Sequence, residues 1–411
     1  MNIIGLSAGY HESACCLLRD GRLVAAAPEE RFSRLKHDAS IPEAAFRYCL
    51  REGGIDIRHV DVVAYYEMPV PKLARQLWAG HPASIADGLP WLDHRRMERE
   101  IRERLGYEGP IETFEHHASH AAGAYYFSGF ADAAILTMDG VGEWATTTYA
   151  AGRGRELEIV EEVQFPHSVG LFYSAITAYL GFRVNSGEYK VMGLAPYGKP
   201  RFADELRKVI APRGGGAFAL DMKYFDFVTG TRMFSPPLEG LLGFAPRDPS
   251  DDSFREEDHD LARSAQVVLE DLLLEKVRYL RTLVPSDNLC LAGGVALNSV
   301  ANGRIVKESG FSDVFIPSSP GDAGSCLGAA AMAHVRATGQ HVRERLRSDH
   351  WGPRYDTDDI DRLLRTLPFS YGDYRGRESE LLDAVVDRLL RGRVVGWFHG
   401  RMEFGPRALG G

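Results

Sequence analysis

Three histidines fall within five positions in "FEHHASH", residues 114 to 120. On a helix, at about 100° per residue, positions four apart overlay within roughly 40°, so His116 and His120 can reach one ion while His117 points elsewhere. A pair at this spacing can equally be incidental, and the zinc metalloprotease pattern is not met, because His117 stands where that pattern needs a glutamate base. Two carboxylates offer to complete a site. Asp139 in "ILTMDGVGE" ends an apolar strand with two glycines close behind it, and Asp322 in "SSPGDAGS" follows another strand and precedes a small-residue helix. Each could be no more than a turn residue. Together with His116 and His120 they make an N2O2 set suited to Fe(II), Mn or Zn, with two positions of a six-coordinate ion left for phosphate oxygens or water.

A second chemistry lies in the glycines. "LAGGVALN" places Gly293 and Gly294 between a strand and a helix, where the missing Cβ lets phosphates lie against the main chain and the helix N-terminus favours an anion. A tight turn explains the same residues. "NSGEYKVMGLAPYG" gathers Gly187, Glu188, Lys190 and Gly193 into one loop after an apolar helix, a density of special residues that fits a ligand.

These residues need a scaffold, and the surrounding pattern supplies one. The chain opens on alternating apolar runs, with Asp20-Gly21 as a hairpin signal and His11 in the first turn. "SIPE", Ser40 to Glu43, has the spacing of a capping box before a helix, and "VDVVAYY" reads as a buried strand. Residues 71 to 108 are charged and helical in pattern. "DAAILTMDGVGEWATTTYA" then repeats the strand, turn, strand theme around Asp139-Gly140. Two such units predict a duplicated α/β architecture. Residues 201 to 254 read as surface excursions, 256 to 284 as a long amphipathic helix, "VFIPSSPGDAGSCLGAAAMAHV" as strand, loop and helix, and "ELLDAVVDRLLRG" then "VVGWF" as helix and strand. A composition shift near residue 350 marks a domain boundary.

The 411 residues exceed a single core. A net charge of −9, from 48 basic and 57 acidic residues, excludes a broad nucleic-acid footprint. Five cysteines without a CxxC pair fit a reducing cytoplasm, and the start lacks the basic region of a secretory signal. The most apolar stretch, "VGLFYSAITAYLGF", is too short for a membrane span.

"SAGYHESA", "EERFSRLKHDA", "EHHASHAAGA", "MDGVGEW", "NSGEYKVMGLAPYG", "AGGVALNS", "PGDAGSCLGAA" and "GWFHGRMEFGPRALG", in this order from end to end, resemble the O-carbamoyltransferase family of nodulation-factor and antibiotic tailoring enzymes. The resemblance implies an actin-like, sugar-kinase-like nucleotide fold of the threonylcarbamoyl-transferase type over residues 1–348, with lobe one to about 130 and lobe two from about 131. It implies that residues 349–411 are a linker and the truncated start of a YrdC-like domain. It further implies an ATP-dependent transfer of a carbamoyl group from carbamoyl phosphate, through carbamoyl adenylate, to a hydroxyl of a secondary metabolite or sugar. The alternative is a nucleotide- and metal-binding module inactive without the remaining domain or a partner.

By that resemblance His116, His120, Asp139 and Asp322 hold a divalent ion, Fe(II) foremost with Mn, Zn or Mg as alternatives. His11 is the base for the acceptor hydroxyl, a role that suits a group with a near-neutral pKa. Gly187, Glu188, Lys190, Gly293, Gly294, Asn298, Arg401 and Arg407 meet the nucleotide, the arginines as guanidinium forks for phosphate or carboxylate. Family members usually carry Asp after the first histidine, where this chain has Glu12. The expected partners are small molecules, with neither nucleic acid nor membrane involved, and a homodimer is a candidate assembly.

Overall fold

The computed structural model describes residues 1–80, 93–342 and 345–408. Two five-stranded sheets form the scaffold. The first comprises β1 (Asn2–Ser7), β2 (Ala14–Arg19), β3 (Arg22–Pro28), β4 (Val62–Tyr65) and β5 (Ile111–Thr113), in the order β3-β2-β1-β4-β5. The second comprises β6 (Asp132–Met138), β7 (Ala145–Arg153) and β8 (Glu156–Gln164). Beyond a separate short pair, β9 (Ile210–Pro212) and β10 (Phe218–Leu220), it adds β11 (Asn288–Ala292) and β12 (Asp313–Phe315), giving the order β8-β7-β6-β11-β12. In each sheet the first three strands in sequence pair antiparallel, and the fourth and fifth join parallel on the other side. The same topology is therefore built twice, which establishes the duplicated actin-like, sugar-kinase-like α/β fold.

Local chemistry explains the strand turns. Asp20 (φ 48°) and Gly21 (φ 76°) both take positive φ, the type I′ pattern that matches the twist of β2 and β3. The apolar runs of β1 and β2 are buried on both faces, as continuous runs rather than alternating ones require. "SIPE" does not form the expected capping box. The helix begins at Glu43, its free N–H groups at Ala44 and Ala45 are taken by the Glu29 carboxylate at 3.0 and 2.8 Å, and the Ser40 hydroxyl turns to Asp38 instead. A distant side chain has supplanted the local one. Within the stretch 71 to 108, helices run over Pro69–Trp78 and Arg96–Leu105, and residues 81–92 lie outside the described residues. "VVGWF" forms no strand; Val394 is wholly exposed, and no described strand pairs beside it to take up its backbone groups. Among the described residues no helix is long and apolar enough to cross a membrane.

One apolar core takes in the first sheet together with Ala133, Ile135, Ala150, Cys290 and Ala292 from one face of the second sheet, a second core lies on that sheet's other face, and two helices sit in the first core between the sheets. Helix His116–Tyr125 covers β6, β7 and β11 of the second sheet, helix Asp322–Thr338 covers β1, β2 and β4 of the first, and the two pack on each other. A helix that precedes β6 in the chain thus packs on the second sheet, and a helix that follows β12 packs on the first. Glycine sets how close these elements come. A Cβ on Gly328 would lie 1.8 Å from the Ser119 carbonyl oxygen, and one on Gly5 would lie 2.0 Å from that of Cys326. Replacing Gly328 with valine is expected to cost about 1–3 kcal/mol, read as a lower urea midpoint. An unchanged midpoint would show that the helix pair tolerates separation.

Candidate active site

The crossed helices bring four side chains to one point. Helix His116–Tyr125 presents His116 and His120 on one face, Asp139 directly follows β6, and Asp322 opens its helix. His116 Nε2 is 3.0 Å from Asp139 Oδ2 and from His120 Nε2, which is itself 3.1 Å from Asp139 Oδ2 and 3.4 Å from Asp322 Oδ1. All four donor atoms lie within 4.8 Å of one another. His117 points away, to the Thr137 hydroxyl at 2.6 Å.

Several groups fix this arrangement. Asp139 Oδ1 accepts from the backbone N–H groups of Gly140 and Gly294, tying the end of β6 to the glycine loop after β11. Gly293 (φ 88°) must be glycine, because a Cβ would lie 2.1 Å from the Met138 carbonyl oxygen. Glu143, buried, accepts from His116 N at 3.1 Å and Met68 N at 2.7 Å, and so caps the histidine helix from the second lobe. Burial alone would lower the His116 pKa, but the hydrogen bond to Asp139 and the charges of Asp322 and Asp139 outweigh it and raise the group to about 9. Burial works the other way on Asp139, where hydrogen bonds from His116 and His120 win and hold its carboxyl well below the usual range.

This donor set fits a divalent cation. Neighbouring ligands about 2.1 Å from an octahedral ion stand about 3 Å apart; His116, His120 and Asp139 have that spacing, and Asp322 Oδ1 stands 3.4 and 3.7 Å from the nearer and farther of the two histidines, His120 and His116. Asp322 Oδ1 is buried without a hydrogen-bond partner, as a ligand oxygen would be. Ser325, one turn beyond Asp322, meets His120 Nδ1 at 3.0 Å and leaves Nε2 to face the cluster. If that contact sets the tautomer, Ser325→Ala will weaken metal affinity about 10- to 100-fold in a chelator competition while leaving the fold intact. An unchanged affinity would remove Ser325 from the account.

Above the cluster opens a cleft of about 440 Å³. His11, Asp139, Asp322, Glu188, Gly294, Asn298 and Arg407 line it. His11 Nε2 is 3.7 Å from Asp322 Oδ2. Glu188 Oε1 accepts from the Ser174 hydroxyl and Asn185 N, and Arg407 stacks over the Tyr189 ring, 4.6 Å from its centroid. Asn298 is largely committed: its Oδ1 accepts from Ala301 N and Gln266 Nε2, and its Nδ2 donates to Gln266.

Other expected contacts fall elsewhere. Gly187 packs against Phe182 and the Arg183 carbonyl, and Lys190 lies over Phe182. Arg401 bonds Tyr48 Oη at 2.7 Å, Glu52 at 2.9 Å and the Gly352 carbonyl at 2.9 Å, which makes it a brace of the C-terminal segment rather than a wall of the cleft. Sequence reasoning passed over Tyr10, Lys36, His37, Asn185 and Gln266, and marked Glu12 only as a departure from the family's Asp. One signal is structural: of the five non-glycine residues with positive φ among the described residues, Glu12, His37 and Asn185 line this cleft, and such strain gathers at functional sites.

The family model for the carbamoyltransferase N-terminus matches residues 2–88 and 94–331, and the model for the carbamoyltransferase C-terminus matches residues 386–411. The chain is 42% identical to the uncharacterized protein sll1178 of Synechocystis sp., across all of this chain and 70% of that one. It is 34% identical to nodulation protein NolNO of Sinorhizobium fredii, across 97% of this chain and 57% of that one. Among solved structures, HypF of T. kodakarensis covers 82% of this chain with 48% of its own length, at 14% identity and a TM-score of 0.44.

Proposed function

The chain belongs to the carbamoyltransferase family, and we propose that its cleft moves a carbamoyl group from carbamoyl adenylate, formed from carbamoyl phosphate and ATP, to a hydroxyl of a sugar or secondary metabolite. What carries this reading is that His11, Asp322 and Asp139 line one cleft with Gly294, directly over the two histidines. A proton acceptor, a cation cradle and a glycine loop for phosphate thus share one space.

His116, His120, Asp139 and Asp322 would hold the ion, which supplies charge compensation beside the α-phosphate. Fe(II) is the ion we assign, with Mn, Zn and Mg as competitors. The side chains of the protein do the rest. The Gly294 loop lets the phosphate approach the backbone, and Arg407 offers its guanidinium to the same anion. His11 accepts the proton of the acceptor hydroxyl, and the Asp322 carboxylate at 3.7 Å stabilises the imidazolium so formed. The hydroxyl oxygen bonds the carbamoyl carbon, and AMP leaves with the electrons of the broken bond.

The acceptor enters beside Tyr10, whose ring lies 4.6 Å from that of His11 and is half exposed. The test supplies synthetic carbamoyl adenylate with simple sugars as acceptors and follows AMP and product by mass spectrometry. AMP and carbamoylated sugar in equal amounts support the proposal, whereas binding without turnover, or a phosphorylated product from ATP, would reject it.

A further inference from the structure

His11 and Glu12 are consecutive, yet both line the cleft. Successive side chains of an extended segment point to opposite sides. What turns both inward is the left-handed backbone of Glu12, φ 55°, a conformation that disfavours any residue with a Cβ. The loop is held in this shape from outside, by Gly9 N to the Ala39 carbonyl and Ser13 N to the Asp38 carbonyl, each 2.9 Å.

The Glu12 carboxylate is only 14% exposed, and among the described residues its one ion-pair partner is His37, whose Nδ1 stands 3.3 Å from Oε1. The other oxygen, Oε2, faces Gly321, the residue before Asp322, and lies 3.5 Å from where a Cβ on that glycine would stand. A carboxylate accepts at about four lone-pair positions, and a largely buried one left short of donors is costly. Among the described residues no protein group donates to this oxygen, and it is open to the cleft, so an N–H or O–H of the occupant can donate to it in place of water. The hydroxyl nucleophile gives its proton to His11, so the donor beside it is the NH2 of the group being transferred.

We infer that Glu12 is a specificity residue: it accepts a hydrogen bond from the carbamoyl NH2 and thereby selects a carbamoyl adenylate over an acyl adenylate that has no N–H there. The inference rests on the carbamoyl-transfer reading. Glu12 takes no proton in the reaction. The C–O bond forms from the acceptor, the C–O bond to phosphate breaks, and the proton goes to His11, while Glu12 holds the NH2 so that the carbonyl carbon stays beside that imidazole.

The test compares AMP release from carbamoyl adenylate and from acetyl adenylate by the wild-type chain, Glu12→Gly and Glu12→Gln. Glycine adopts the left-handed backbone without strain, so Glu12→Gly removes the carboxylate while favouring the loop shape; its melting temperature checks that the fold is kept. Wild type should prefer the carbamoyl adenylate. Glu12→Gly should lose about 10- to 100-fold of that preference, the range of one hydrogen bond to a charged group, and Glu12→Gln, which keeps a neutral acceptor oxygen, should fall between. Equal rates for both adenylates in wild type, or a full preference kept in Glu12→Gly, would overturn the assignment alone. Failure of wild type to release AMP from either adenylate would overturn the carbamoyl-transfer reading and this inference with it.

Discussion

Replacing His120 with alanine should yield a folded chain that purifies with almost no divalent metal, where the wild type should hold about one ion per chain in a site of this donor type. His120 Nε2 lies within 3.4 Å of each of the other three donors, so its loss opens the cluster at its centre. It also leaves two carboxylates with one imidazole between them, in a site where His120 now offsets Asp139. His117→Ala is the matched control, since that imidazole is engaged with Thr137 and faces away from the cluster. Metal analysis by plasma mass spectrometry after dialysis reads both. Equal metal in wild type and His120→Ala would reject the ligand set.

The second large effect concerns turnover. His11→Gln should lower carbamoyl transfer from carbamoyl adenylate by about 10²- to 10⁴-fold, the usual contribution of a positioned base. The change should appear in kcat with KM for the adenylate little altered, because His11 is assigned to the proton and not to the nucleotide. Metal content should stay at the wild-type level, since His11 stands 3.7 Å from Asp322 and outside the four-donor group. A variant that lost metal together with activity would make His11 part of the ion site, and one that kept full turnover would move the base elsewhere.

Much of this was legible in the sequence because the signals were local. Asp20-Gly21 named its own turn, the four-residue spacing of His116 and His120 named a helix face, and the repeated strand, turn, strand pattern foretold two sheets of one topology. Where distant groups decide the outcome, local spacing misleads. Ser40 and Glu43 have the form of a capping box, but Glu29, reaching from the end of β3, caps that helix. Arg401 belongs to a quoted motif, yet Tyr48 and Glu52 claim its guanidinium. "VVGWF" has strand composition, but a strand needs a neighbour to pair with.

The exchange of helices between the sheets was not legible at all. Nothing near Gly328 says that the Ser119 carbonyl will lie against it, since that contact exists only once both sheets have formed. Nor could spacing show that Glu12 takes a left-handed backbone and turns its carboxylate into the cleft beside His11.

All of the chemistry assigned above requires that ion, phosphate and His11 share one cleft. The direct measurement is anomalous X-ray scattering, at the absorption edge of the bound metal, from crystals grown with Fe(II) or Mn(II) and AMP. One peak should lie between His116, His120, Asp139 and Asp322, with the AMP phosphate beside it against Gly294. A peak elsewhere, no peak, or a phosphate bound away from this cluster would contradict the account.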